Sequence, residues 1–127
     1  MFNYPKTESF SFLGLHDQNY KKSKAVIFPV PYNSTTFWKS GTKEGPRALI
    51  EASRYLEDYD IEERKDVSKT GVFTLEPLEP SKNSPKETLE RVQGAVSSLL
   101  IDKKFVITIG GEHSITIGTV GAFVKRI

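Results

Sequence analysis

Three observations along the 127-residue chain predict an α/β fold, a parallel sheet layered between helices in a three-layer α/β/α arrangement. Short apolar runs rich in branched residues, at 24–30, 72–78 and 104–110, alternate with stretches whose apolar residues recur every three or four positions. The last run, "KFVITIG", is apolar on both faces, the pattern of a strand covered from both sides. Two of the helical stretches open on proline, which suits the first turn of a helix and not its interior. Strands alternating with helices imply parallel strands joined by right-handed crossovers. At this length residues 1–127 are read as one domain able to bury a core.

Taken in order, residues 1–23 lack periodicity and scatter the aromatics Phe2, Tyr4, Phe10 and Phe12, so they are read as an N-terminal arm that packs on the rest. "KAVIFPV" is the first strand, expected to end at Pro29 and Pro31 because proline lacks the N–H that a central strand needs. "PYNSTTFWKSGTKEG" carries loop chemistry, and Pro46 opens a helix over 46–60 with Leu49, Ala52, Leu56 and Tyr59 as its inner stripe. A charged connector leads to the strand "VFTLEPL". The next helix is marked by Ser84 as cap, Pro85 at the first helical position and Glu87 closing a capping box. Leu89, Val92, Val96, Leu99 and Leu100 line one face of it. After the third strand, "SITIGTVGAFVKRI" begins a helix with Ile115, Val120 and Phe123 expected inside, although Gly118 and Gly121 weaken its propensity. Three parallel strands leave sheet edges that further protein or a partner is expected to cover.

Composition excludes several functions. Net charge is +2 with both signs interleaved, which leaves no electrostatic footprint for nucleic acid or an anionic membrane. The absence of cysteine excludes disulfides, thiolate nucleophiles and sulfur-ligated zinc. Neither a signal-peptide pattern nor a run of about 20 apolar residues occurs, so a soluble, cytoplasmic protein is expected. No glycine-rich phosphate motif is present, and an acid in the only Gly-Gly turn would repel phosphate. The acidic stretch at 57–63 lacks the spacing and central glycine of a calcium loop.

The residues that carry chemistry cluster in "ITIGGEHS". Ligands bind beyond the carboxyl ends of strands in open α/β sheets, and that is where Gly110, Gly111, Glu112, His113 and Ser114 fall. The glycines permit a sharp turn, Ser114 can cap the following helix, and Glu112 and His113 offer oxygen and nitrogen donors for a divalent metal. A tight turn with a structural histidine accounts for the same residues, because a metal site needs three or more converging ligands. His16, in the polar arm, is read as a surface residue.

In sequence the chain resembles the ureohydrolase family of arginases and agmatinases. The resemblance runs through "VPYNSTTFWKSGTKEGPRALIEASRYLEDYD" and "SPKETLERVQGAVSSLLIDKKFVITIGGEHSIT", in the family's order, with an arm before the first strand as in agmatinases. Glutamate at 112 together with "VPYNSTT" resembles agmatinases more than true arginases. The resemblance implies hydrolysis of a guanidino compound, agmatine first, to urea and an amine, putrescine, as in polyamine biosynthesis. It implies two manganese ions sharing an activated water, because a guanidinium carbon is a poor electrophile and water a weak nucleophile at neutral pH. His113 matches one metal ligand. Gly110 and Gly111 shape the turn, Glu112 supports the site without ligating, Ser114 caps, and Tyr32, Asn33 and Trp38 are candidates for the substrate rim. No catalytic residue carries over.

The family's Asp-Ala-His-x-Asp block and later Asp-x-Asp block, which lie C-terminal to the Gly-Gly-acid-His-Ser signature and supply the other ligands, do not occur after that signature here. "VFTLEPL" also lacks the Asp-Gly-Asp common after that strand, and Ile117 and Gly118 replace an apolar–proline pair. The expectation is therefore the N-terminal part of an arginase-like fold, inactive alone, whose partners are a guanidino small molecule and a C-terminal half or a second copy. The alternative is a non-catalytic truncated or split fragment acting as a binding or assembly module.

Overall fold

The computed structural model of the chain describes residues 10–124; Phe2 and Tyr4 of the arm lie outside them. Five strands and three helices follow in the order β1 (Ala25–Val30), α1 (Gly45–Ser53), β2 (Tyr59–Asp60), β3 (Lys65–Asp66), β4 (Val72–Thr74), α2 (Pro85–Ile101), β5 (Phe105–Gly110) and α3 (Ile115–Val124). Strands β4, β1 and β5 form a parallel sheet in that order, with β1 in the centre. The chain steps from β1 to β4 and then back past β1 to β5, so right-handed crossovers place α1 and α2 on opposite faces. The α/β/α arrangement expected from the alternating pattern is the one observed. Among the described residues no helix is long and apolar enough to cross a membrane.

The main core lies between the sheet and α2 with α3. Val26, Phe28 and Val30 of β1 point to that side and pack in one cluster with Phe73, Val92, Val96, Leu99 and Ile115. Each such side chain contributes roughly 1.5–3 kcal/mol of transfer free energy. The opposite face of β1 is also closed, with Ile27 only 1% exposed, which is why this strand reads as an unbroken apolar run. Gly118 is buried where α3 meets α2; a Cβ there would lie 2.6 Å from the Leu89 carbonyl oxygen and 2.9 Å from Val92 Cβ. The glycine that weakens helix propensity is thus what lets the two helices approach.

Several expectations are corrected. β1 runs through Pro29 to Val30, although it is the central strand. In a parallel ladder a residue's N–H and C=O point to the same neighbour. The carbonyls of Ile27 and Pro29 accept from Leu75 and Leu78, on the β4 side, so the missing N–H of Pro29 faces a side where β4 has already ended. Helix α1 ends at Ser53 and buries Pro46, Ile50 and Ser53, while Leu49, Ala52, Leu56 and Tyr59 stay exposed. The inner face was disguised by a polar residue: Ser53 Oγ accepts from the Leu13 amide at 2.9 Å and donates to the Ile50 carbonyl at 2.6 Å. Tyr59 belongs instead to β2, a two-residue strand that pairs antiparallel with β3 of the charged connector.

Helix α2 starts as expected, with the Glu87 amide donating to Ser84 Oγ at 3.2 Å and Pro85 in the first turn. The reciprocal half of the capping box is not made. The Glu87 carboxylate accepts instead from Ser81, Asn83 and Arg91. The arm packs as expected where it is described. Gln18 Oε1 accepts from the Thr74 amide, Tyr20 stacks edge-on to Phe73, and Lys104 Nζ donates to the Ser23 carbonyl at 2.6 Å.

The largest departure concerns β5 and α3. β5 is an edge strand, and one of its faces is open: Phe105 is 70% exposed and Ile107 39%. Val120 and Phe123, expected inside, are exposed alongside Ile117 and Val124, while α3 turns Ile115, Gly118 and Ala122 inward. The short α1 meets β5 where Gly45 lies against the Gly110 carbonyl, and it leaves Phe105 and Ile107 uncovered.

Candidate metal-ligand turn

The register of the sheet builds the site. Val30 pairs with Gly110, so β1 and β5 end side by side, and the loop after one meets the turn after the other. The Glu112 amide donates to the Tyr32 carbonyl at 2.9 Å, joining the two. Gly111 is required at this crossing: a Cβ there would sit 2.7 Å from the Tyr32 nitrogen and 2.8 Å from the Val30 oxygen, both fixed backbone.

Glu112 is 7% exposed, and its carboxylate accepts four hydrogen bonds. The amides of Ser34 and Thr35 donate to Oε2 at 2.8 and 2.7 Å. The hydroxyls of Thr35 and Ser114 donate to Oε1, that of Ser114 at 2.5 Å. Burial alone would push this carboxyl up, but the Ser114 and Thr35 hydroxyls and the Thr35 and Ser34 amides more than offset it, and it lies below the ordinary carboxylate range. The Ser114 hydroxyl is thus engaged with Glu112.

His113 is exposed at the tip of the turn, and its imidazole has no hydrogen-bond partner among the described residues. Its carbonyl accepts from the Thr116 amide in the first turn of α3, which holds the backbone while the ring stays free. Opposite it stand Phe37 and Trp38, 100% and 82% exposed; together with Thr35, Lys39, Gly111 and Ser114 they line one shallow cleft with His113 and Glu112. Asn33 is half-buried and accepts from Thr36 Oγ1 at 2.9 Å, so its amide shapes the loop. Tyr32 is not at a rim: it is 2% exposed and belongs to the core. Its position one residue past Pro31 gave no sign of this. A larger cavity walled by Pro29, Pro46, Ile50 and Leu75 touches neither His113 nor Glu112. His16 is exposed on the arm.

As a metal site the turn offers one donor. A free imidazole suits a divalent ion of manganese type, but Glu112 has both oxygens engaged, and among the described residues no three His, Asp or Glu side chains converge. Sequence reasoning placed His113 and Glu112 at this turn and missed Ser34 and Thr35, whose pairing with Glu112 spans 77 and 78 residues. The polar run "NSTT" was the only signal.

Comparison with known proteins bears on the family and the fold. Residues 23–127 match the arginase family. The N(1)-aminopropylagmatine ureohydrolase of Synechocystis is 37% identical over 109 residues, covering 82% of this chain and 36% of that protein. The agmatinase of Halalkalibacterium halodurans is 35% identical over 98 residues, covering 77% and 34%. Among solved structures, the agmatine ureohydrolase of Thermoplasma volcanium superposes with a TM-score of 0.80 at 29% identity, over 92% of this chain and 39% of that one. The chain thus spans about a third of the length of the curated relatives it matches. A family match over residues 23–127, a relative 37% identical over 82% of the chain and a superposition over 92% of it lead to one conclusion: this chain belongs to the arginase family.

Proposed function

We propose that this chain carries the first part of the active site of a manganese-dependent guanidino hydrolase that converts an agmatine-type substrate to urea and an amine. The observation that carries the reading is the free, exposed imidazole of His113, presented at the carboxyl end of β5 by a turn whose other polar groups are engaged. His113 would hold the metal as a neutral ligand. The other ring nitrogen needs a hydrogen-bond acceptor to fix the tautomer, and that acceptor, like the remaining carboxylate and imidazole ligands, comes from polypeptide outside residues 10–124. When bound, a divalent pair lowers the pKa of water and so supplies the nucleophile that a resonance-stabilised guanidinium demands. Glu112 contributes fixed negative charge beside the metal position without ligating.

The relatives named for N(1)-aminopropylagmatine and agmatine support a linear guanidino substrate with an amine tail. Trp38, exposed across the cleft from His113, offers an aromatic face to such a cation. A urea-release assay with agmatine and Mn²⁺ tests the proposal. The 127-residue chain alone is expected to show no turnover, because one imidazole does not hold two metal ions. Robust turnover by the isolated chain would refute the incomplete site.

A second reading, a non-catalytic binding or assembly module, is favoured by the open apolar flank of β5 and α3. It predicts a stable complex with a C-terminal polypeptide and no gain of urea release in that complex.

A further inference from the structure

Glu112 is the one buried acid among the described residues. Its four donors are two consecutive backbone amides, one hydroxyl from the same loop and one hydroxyl from its own turn. Three of the four therefore come from residues 34 and 35, across the gap between the ends of β1 and β5. The loop they belong to bears Phe37 and Trp38, which lie fully open to solvent and have little packing of their own to hold them.

We infer that Glu112 is a positioning residue: its carboxylate pins residues 33–38 against the turn that carries His113, so that Trp38 and the imidazole border one shared cleft. Charge is essential to this pin. Four donors meeting two oxygens require an acceptor with no N–H of its own, and an ionised carboxylate is the only side-chain group that qualifies. A glutamine would turn an NH₂ toward at least one pair of donors and break that side of the clamp. Reach matters as well, since aspartate keeps the charge but is one methylene shorter. As a device for catalysis the pin rests on the guanidino-hydrolase reading. The pin itself is measured without metal or substrate, so the two can fail separately.

The test is amide hydrogen exchange by NMR on the full chain, with the fluorescence anisotropy of Trp38, its sole tryptophan, as a second readout. Glu112→Gln is expected to speed exchange of the Ser34 and Thr35 amides about tenfold or more while Val26 and Phe28 in β1 keep their rates. Trp38 anisotropy falls in the same variant, and Glu112→Asp recovers part of both signals. If Glu112→Gln does not fold, Thr35→Val removes one hydroxyl donor and is expected to loosen the same residues to a smaller extent. Wild-type rates at Ser34 and Thr35 in a folded Glu112→Gln protein would overturn the inference. So would acceleration of Val26 and Phe28 by the same factor, which would make Glu112 a support of the whole fold. An unchanged loop in Thr35→Val, should Glu112→Gln fail to fold, would overturn it equally.

Discussion

The carboxyl end of β5 and the flank of the same strand sit a few residues apart and are finished to very different degrees. At the end, Glu112 is buried with four hydrogen bonds, Gly111 is wedged against the Tyr32 backbone, and only the His113 ring is left free. Along the flank and on α3, Phe105, Ile117 and Val124 are 70%, 67% and 62% exposed, although each is the kind of residue a chain buries. Polar groups in low dielectric are costly unless every partner is present, so the turn has to be complete within this chain. Apolar surface tolerates exposure at lower cost and can be closed later by another segment. The turn is therefore preorganised, and the apolar surface beside it stays open.

The comparison is broken most severely at Gly111. Gly111→Ala drives a Cβ into the Tyr32 and Val30 backbone and is expected to destabilise the chain by roughly 3 kcal/mol, read by urea denaturation. Truncation in the closed core has a similar scale: Leu99→Ala, at a fully buried position, is expected to cost about 2–5 kcal/mol. On the open flank, Ile117→Ala should change stability by less than about 0.5 kcal/mol in the isolated chain. Its signature is elsewhere. Phe105→Lys, on the open face of the edge strand β5, is expected to reduce concentration-dependent association measured by sedimentation, since it charges exposed apolar surface there. If Ile117→Ala destabilised as much as Leu99→Ala, the flank would already be packed and the contrast would be false.

Smaller effects sharpen it. Gly94 lies mid-helix on α2 with open space around its Cβ position, so Gly94→Ala should stabilise by up to about 1 kcal/mol. Glu87 is held below the ordinary carboxylate range by hydrogen bonds from Ser81, Asn83 and Arg91. A depressed folded-state pKa means that its contribution is present above the unfolded value and is lost as pH falls through the folded one. Acid titration of Glu87→Gln should therefore show a slightly flatter loss of stability in that range than the wild type.

Much of this was legible in the sequence where local chemistry decides the outcome. Ser84 and Pro85 mark the start of α2, and "KFVITIG", ending on Gly110 and followed by Gly111, marks β5 and its turn, because caps, proline and glycine act within a few residues. Legibility failed where a distant partner decides. Ile50 and Ser53 form the inner face of α1 because the Leu13 amide needs the Ser53 hydroxyl, and apolar periodicity favoured Leu49 and Leu56 instead. Pro29 passes through a central strand because β4 happens to end beside it. At the site, the position of His113 was readable from the turn, but the engagement of both Glu112 oxygens by Ser34, Thr35 and Ser114 depends on the Val30–Gly110 register. Val120 and Phe123 were expected inside because they are apolar, and nothing among the described residues covers them.

One measurement addresses the central claim directly. Residues 23–127 would replace the matching segment of the Synechocystis relative, leaving that protein's remaining two-thirds or so to complete the fold. Manganese-dependent urea release from agmatine or N(1)-aminopropylagmatine would then be compared for the chimera, its His113→Ala variant and the 127-residue chain alone. The expected result is turnover by the chimera, a loss of at least about 100-fold with His113→Ala together with weaker Mn²⁺ retention, and none by the isolated chain. A folded chimera whose rate and metal content are the same with or without the His113 imidazole would contradict the account.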